Sequence, residues 1–142
     1  MKKIVKCDEG DYTSLLNIWE RSVRATHDFL SEESIMELKA ALIPEYFPNV
    51  NLYAATADGT PVGFIGLSGE MIEMLFVDAD RIGQGYGSLL VDFATNNGAV
   101  KVDVNEQNPS ALRFYRSKGF HVIGRDETDE AGRPYPILHL SL

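Results

Sequence analysis

The chain has 142 residues, 44% hydrophobic and 24% charged, a length and balance that predict one domain with its own core and exclude a disordered tail or a fibre. Its 13 Lys and Arg against 21 Asp and Glu leave a formal net charge of −8, which argues against non-specific binding to nucleic acid or an anionic membrane surface. The single cysteine, Cys7, excludes an intrachain disulfide, and with no signal-like or membrane-spanning apolar run the expectation is a soluble cytoplasmic protein.

No period repeats and no linker-like segment divides the chain. Lys2 to Cys7 reads as a short strand, followed by a helix from about Asp11 to Arg24 with Leu15, Leu16, Trp19 and Val23 at helical spacing. Ser31, with Glu32 and Glu33 behind it, starts a second helix whose stripe is Ile35, Leu38 and Leu42, and Pro44 stops it. Short β segments follow: 52–56 and 61–67 around an Asp58-Gly59 hairpin turn, then Met71 to Val77. Their connections are too short for crossover helices, which predicts antiparallel pairing. A helix carrying Leu89, Leu90, Phe93 and Ala94 ends at Asn97-Gly98, and Val100, Val102 and Val104 alternate in the next strand, an arrangement that predicts a right-handed parallel crossover. Asn108-Pro109 opens a last helix closed by Gly119, and 120–123 and 135–142 supply the final strands. The order β-α-α-β-β-β-α-β-α-β-β is an α+β architecture with a mixed sheet.

Between the strand ending at Val77 and the helix beginning near Ser88, glycine occurs at 83, 85 and 87. Such a loop lets successive backbone N–H groups point at one anion while the helix start adds its dipole, so the segment is predicted to hold phosphate. A dinucleotide fingerprint fails because Ser88 stands where its third glycine belongs, and a P-loop fails for want of Gly-Lys-Ser/Thr. The competing reading is a glycine-rich turn that only lets helix and strand pack closely.

Ile82-Gly83-Gln84-Gly85-Tyr86-Gly87, together with the segment from Asn105 to Phe120 read as N-x-x-A-x-x-F-Y-x-x-x-G-F, resembles the GNAT family of acyl-CoA-dependent N-acetyltransferases. The resemblance covers nearly the whole chain, and 22–30 and 132–136 look similar to its small bacterial YjaB-type branch. It implies the GNAT fold, a mixed central sheet with a splayed strand pair flanked by helices, over a single domain of residues 1–142. It also implies acetyl-CoA as co-substrate and an amine acceptor that is a small molecule or a peptide, while three histidines without close spacing and a single cysteine argue against a metal site. The oligomeric state, monomer or homodimer, stays open. One departure is Ile82, where the family places Gln or Arg; Arg81 lies one residue earlier.

By the same resemblance, the backbone of Leu75 and Val77 holds the pantetheine arm. The amides of Ile82, Gly83, Gln84, Gly85, Tyr86, Gly87 and Ser88 take the pyrophosphate, and Asn108 adds a polar contact. Leu75 and Val77 also fit core strand positions, and Asn108 fits a helix cap. Tyr115 is the expected general acid: a phenol near pKa 10 stays protonated at neutral pH to meet a leaving thiolate near 8.5. Glu73, alternating with Met71 and Leu75, reads either as an acid that drains the amine's proton or as an exposed strand carboxylate. His27 and His139, with ordinary pKa values near 6.5 that suit a general base, read as catalytic or acceptor-pocket residues or as structural ones, with Phe29 and Leu30 as further candidates for the acceptor wall, while His121 and Cys7 read as structural. The rival functions are a non-catalytic acyl-CoA sensor and an interaction domain that kept the fold.

Overall fold

The computed structural model describes residues 2–142. Seven strands form one sheet: β1 (Lys2–Lys6), β2 (Asn51–Ala57), β3 (Thr60–Ser68), β4 (Met71–Val77), β5 (Lys101–Asn105), β6 (His121–Asp126) and β7 (Ile137–Ser141), in the order β1-β2-β3-β4-β5-β7-β6. Four helices flank it: α1 (Tyr12–Thr26), α2 (Glu32–Ala41), α3 (Tyr86–Asn96) and α4 (Pro109–Ser117). The predicted element order, the antiparallel run from β2 to β4 and the parallel β4–β5 crossover are all present, and β1 adds antiparallel to the outer edge of β2. Pro44 does not end the second helical segment sharply, because a wider turn over Leu42–Tyr46 carries the chain on to Phe47. Tyr135 lies outside the last strand, so it does not alternate with Ile137 and His139 there.

Local chemistry explains the elements. In α1, Leu15, Ile18, Trp19, Ser22 and Val23 are buried at i, i+3, i+4, i+7 and i+8, one face of a helix. The Ser31 side chain accepts the Ser34 N–H as the cap of α2. Asp58 (φ 50°) and Gly59 (φ 86°) both adopt the left-handed conformation that a two-residue hairpin requires.

The sheet separates two apolar clusters. On one face, Leu15, Trp19 and Val23 of α1 and Ile35 of α2 pack on Ala54, Phe64 and Phe76. On the other, Leu90, Val91 and Ala94 of α3 and Tyr115 of α4 pack on Ile65, Ile72, Val102 and Leu140. Cys7 is half-buried, and burial pushes its thiol up to about 11, consistent with its structural reading.

Two irregularities position the site. The parallel β4–β5 pair has only the registers Met71 with Lys101 and Ile72 with Val102. At that point β4 carries an extra residue: Ile72 faces Leu67 and Met74 faces Gly66 on β3, leaving Glu73 without a partner. This bulge corrects the expected alternation. Ile72 shares the α3 face with Leu75 and Val77, while Met74 and Phe76 turn to the α1 face. A bulge kinks its strand and re-aims its side chain, so β4 leaves β5 as Glu73 turns outward.

Phe64 is fully buried and meets Phe47 edge-on at 5.8 Å and Phe76 at 5.7 Å. Phe64→Ala is expected to cost about 3–5 kcal/mol of stability, measurable by urea unfolding.

Candidate functional site

The gap between β4 and β5 is a cleft of about 200 Å³ lined by Ile72, Leu75, Val104, Asn108, Ala111 and Tyr115, among others. Leu75 and Val77 pair with Ile65 and Gly63 of β3 on one edge, while their other edge lies beyond the last β5 register. Their side chains pack on the α3-side core, and that packing leaves the free backbone edge open to a ligand.

Below the cleft, Tyr115 on α4 is only 6% exposed, held edge-on by Phe114 at 5.2 Å and Phe120 at 5.6 Å. Its hydroxyl has no hydrogen-bond partner among the described residues, yet no buried side-chain nitrogen or oxygen among them is orphaned. The oxygen therefore opens into the cleft that Tyr115 lines. Burial raises the phenol's pKa, keeping it protonated at neutral pH.

The glycine loop lies between the end of β4 and α3. Gly83 (φ 85°) and Gly85 (φ 91°) are left-handed, and Leu89 N–H to Gly85 O at 3.1 Å closes the first turn of α3. The N–H groups of Gly83, Gly85, Tyr86, Gly87 and Ser88 have no partner among the described residues, which is the arrangement an anion needs. Ile82 is exposed, and the Gln84 N–H bonds Arg81 O at 3.3 Å.

The cationic side chain on this loop comes from elsewhere. The ammonium of Lys2 on β1 donates to Gln84 O at 2.5 Å and lies 4.8 Å above the buried Tyr86 ring. Sequence reasoning missed it because 82 residues separate the partners. Behind the loop, Asp78 accepts from Arg21 of α1 at 2.6 and 3.1 Å, tying helix to strand end.

At its outer end the cleft opens into a groove of about 810 Å³. His27, Glu73, Met74, Phe76, Asp103 and Asn105 line both spaces. The groove wall carries Glu73, Asp103, Asp126, Glu127, Asp129 and Glu130 against one guanidinium, Arg133, which is paired with Asp129 and Glu37. Burial, then Glu130 and Asp103, raise the Glu73 carboxyl above the usual range. The loop between β6 and β7 roofs the groove: the Tyr135 hydroxyl meets Ser34 Oγ at 2.9 Å on α2. The acid set escaped notice in the sequence because three strands and a loop contribute to it.

The predicted pocket residues separate. His27 lines both cavities, whereas Phe29 lines neither; its ring packs on His27 at 5.3 Å and Tyr135 at 6.1 Å. His139 lines the groove with Nδ1 at 2.7 Å from Asp103 and Nε2 at 2.8 Å from Asp126. These hydrogen bonds, Asp103's first, raise its pKa above the ordinary histidine value. His121 is exposed on β6. Trp19 and Tyr46 also line the groove, while Phe47 is core. Among the described residues no group of three or more His, Cys, Asp or Glu is arranged to hold a metal ion, and no helix is long and apolar enough to cross a membrane.

Comparison with known proteins decides the family. The profile of the acetyltransferase (GNAT) domain matches residues 21–136. The chain belongs to the GNAT family of acetyltransferases. A GNAT relative, the peptidyl-lysine N-acetyltransferase YjaB of Salmonella typhimurium, is 46% identical over 135 residues, covering 94% of this chain and 91% of the relative. The solution structure of apo-form YjaB from Escherichia coli superposes with a TM-score of 0.90 at 41% identity, covering 99% and 97% of the two chains. The fold is also shared by the crystal structure of the PaiA N-acetyltransferase of Thermoplasma acidophilum in complex with coenzyme A. Its TM-score is 0.74 at 21% identity, covering 100% of this chain and 99% of that one.

The His139 contacts predict a pH-dependent clamp. The folded pKa lies above the unfolded value near 6.5, so the stabilisation is complete below that value and fades as pH rises through the folded pKa. Thermal unfolding of His139→Gln should fall further below the parent at pH 6 than at pH 9; an equal gap at both would dismiss the ionic clamp.

Proposed function

We propose that this GNAT enzyme transfers the acetyl group of acetyl-CoA to the ε-amine of a peptidyl lysine by direct attack, with Tyr115 as general acid. The observation that carries this reading is that the cleft holding the Tyr115 hydroxyl and the acidic groove meet, sharing Glu73 and Asp103 on their walls. A cationic side chain suits that groove, and the YjaB relative acts on peptidyl lysine by its name.

Acetyl-CoA supplies the acetyl group as a thioester. The partner-free amides of Gly83, Gly85, Tyr86, Gly87 and Ser88 would hold the pyrophosphate, and the unpaired edge of β4 at Leu75 and Val77 the pantetheine arm. Ile82 and Gln84 contribute backbone to the same loop, and Asn108 lines the cleft beside His27. A net charge of −8 does not oppose this, because local N–H dipoles, the start of α3 and Lys2 face the phosphates.

Tyr115 gives its proton to the departing sulfur; burial raises the phenol's pKa, so the proton is still in place when the thiolate leaves. A lysine near pKa 10.4 is neutral only about once in 2,500 at pH 7, so the amine must lose a proton before attack. Glu73 attracts the ammonium and passes the released proton towards solvent along the groove.

Incubation of the protein with acetyl-CoA and lysine-containing peptides, followed by free-thiol release and mass spectrometry, tests the acceptor. Acetylation confined to peptide N-termini or to small amines would refute it. Tyr115→Phe is expected to lower kcat roughly 100-fold with the acetyl-CoA KM unchanged to about twofold. Gly85→Ala places a Cβ in a left-handed position 3.3 Å from the Lys2 ammonium, and should raise the acetyl-CoA KM roughly 5- to 30-fold, the equivalent of about 1–2 kcal/mol. Steady-state kinetics in acetyl-CoA reads both.

A further inference from the structure

We propose that His27 is the catalytic proton acceptor for the attacking amine, its Nε2 lone pair receiving the ammonium proton where the acceptor groove meets the cofactor cleft. This rests on the lysine acetyltransferase reading above and adds the group that ionises the nucleophile.

The geometry assigns the tautomer. Thr26 Oγ1 donates its single proton to Ser22 O at 2.7 Å, one turn back on α1. The same oxygen lies 2.8 Å from His27 Nδ1, so it accepts there, and Nδ1 carries the hydrogen. Across the mouth of the cleft, Asn108 is the cap of α4: its Oδ1 accepts the Ala111 N–H at 3.2 Å. That turns its amide nitrogen towards His27, 3.5 Å from Nε2. Each donor in the chain from Ala111 to Ser22 then has one acceptor, and Nε2 is left with a lone pair. The 3.5 Å contact is the longest of the set and the one an incoming ammonium displaces.

The surroundings keep the ring neutral and placed. Phe76 lies at 6.1 Å and Phe29 at 5.3 Å between ring centroids. Burial lowers the pKa from its ordinary value, opposed by the neighbouring Asp28. The other ionisable groups on the shared cleft are Glu73 of β4, Asp103 of β5 and Tyr115 of α4. Protonation of Nε2 leaves the Nδ1–H to Thr26 bond intact, so Thr26 holds the ring in the neutral and charged forms alike. That is the orienting partner a general base requires.

The protons balance. One leaves the ammonium for Nε2, and the freed lone pair bonds the thioester carbonyl carbon. As the C–S bond breaks, Tyr115 protonates the sulfur; the second proton from the nitrogen restores Tyr115. The first passes from the imidazolium to Glu73 and water.

Kinetics on a lysine peptide test this from pH 6 to 10. His27→Gln should reduce kcat roughly 100-fold at pH 7, leave the acetyl-CoA KM unchanged to about twofold, and recover towards the parent rate as pH approaches 10, where lysine ionises unaided. Added imidazole should restore part of the rate of His27→Ala. A deficit of constant size across pH, or a raised acetyl-CoA KM with kcat intact, would reduce His27 to a support for Asn108 and overturn the proposal. Nitrogen-15 NMR of the unaltered protein gives an answer independent of variant folding: a neutral Nδ1–H imidazole at pH 7 is expected, and an Nε2–H or charged ring overturns it. Failure of the parent to acetylate lysine at all would defeat the underlying function; a normal parent with normal His27 variants would defeat only this step.

Discussion

The candidate site depends on a parallel strand pair that is allowed only two registers. β4 and β5 meet at Met71 with Lys101 and Ile72 with Val102, and the extra residue at Glu73 then bends β4 away. In the interior of a sheet, unpaired strand edges are costly because their N–H and C=O groups have lost water without gaining partners. Here the same groups face a cleft. The parting also lets α4, which follows β5, bring the Tyr115 hydroxyl up between the strands, and it lets α1 reach across to the cap of α4 through His27 and Asn108. The cleft, the proposed acid and the proposed base all descend from the bulge.

Electrostatics divides the molecule along the same line. The loop before α3 turns partner-free N–H groups outward although the chain as a whole is acidic. It combines backbone dipoles, which carry no net charge, and a single ammonium from β1. Across the cleft the groove concentrates carboxylates from β4, β5, β6 and the β6–β7 loop. On the proposed function a polyanion and a cation meet where cleft and groove join, with His27 on the walls of both and Tyr115 on that of the cleft. Local geometry outweighs net charge because screening limits distant charges to about a Debye length, some 8–10 Å.

Much of this was legible in order along the chain. Helical stripes, the Asp58-Gly59 turn, the Asn108-Pro109 start and the three glycines each rest on contacts within a few residues, so composition and spacing reveal them. Glu73 shows where that reasoning stops. Alternation placed it with Met71 and Leu75, but a bulge shifts strand parity, and a bulge is fixed by the partner strand. Phe29 and His139 show the same limit: one turned away from both cavities onto His27 and Tyr135, the other became a clamp between two aspartates.

The sequence by itself determined the element order, the glycine loop, the helix that carries Tyr115 and the family, because each is written in local periodicity or in a motif of fixed spacing. Only the tertiary structure decided that β4 and β5 separate at Glu73, that Lys2 serves a loop 82 residues away, and that the acids gather beside the cleft. It also decided that His27 stands between Thr26 and Asn108 at the junction, the two contacts from which its proposed tautomer is argued. These features rest on strand register and on hydrogen bonds between distant segments, and folding alone brings such partners within reach.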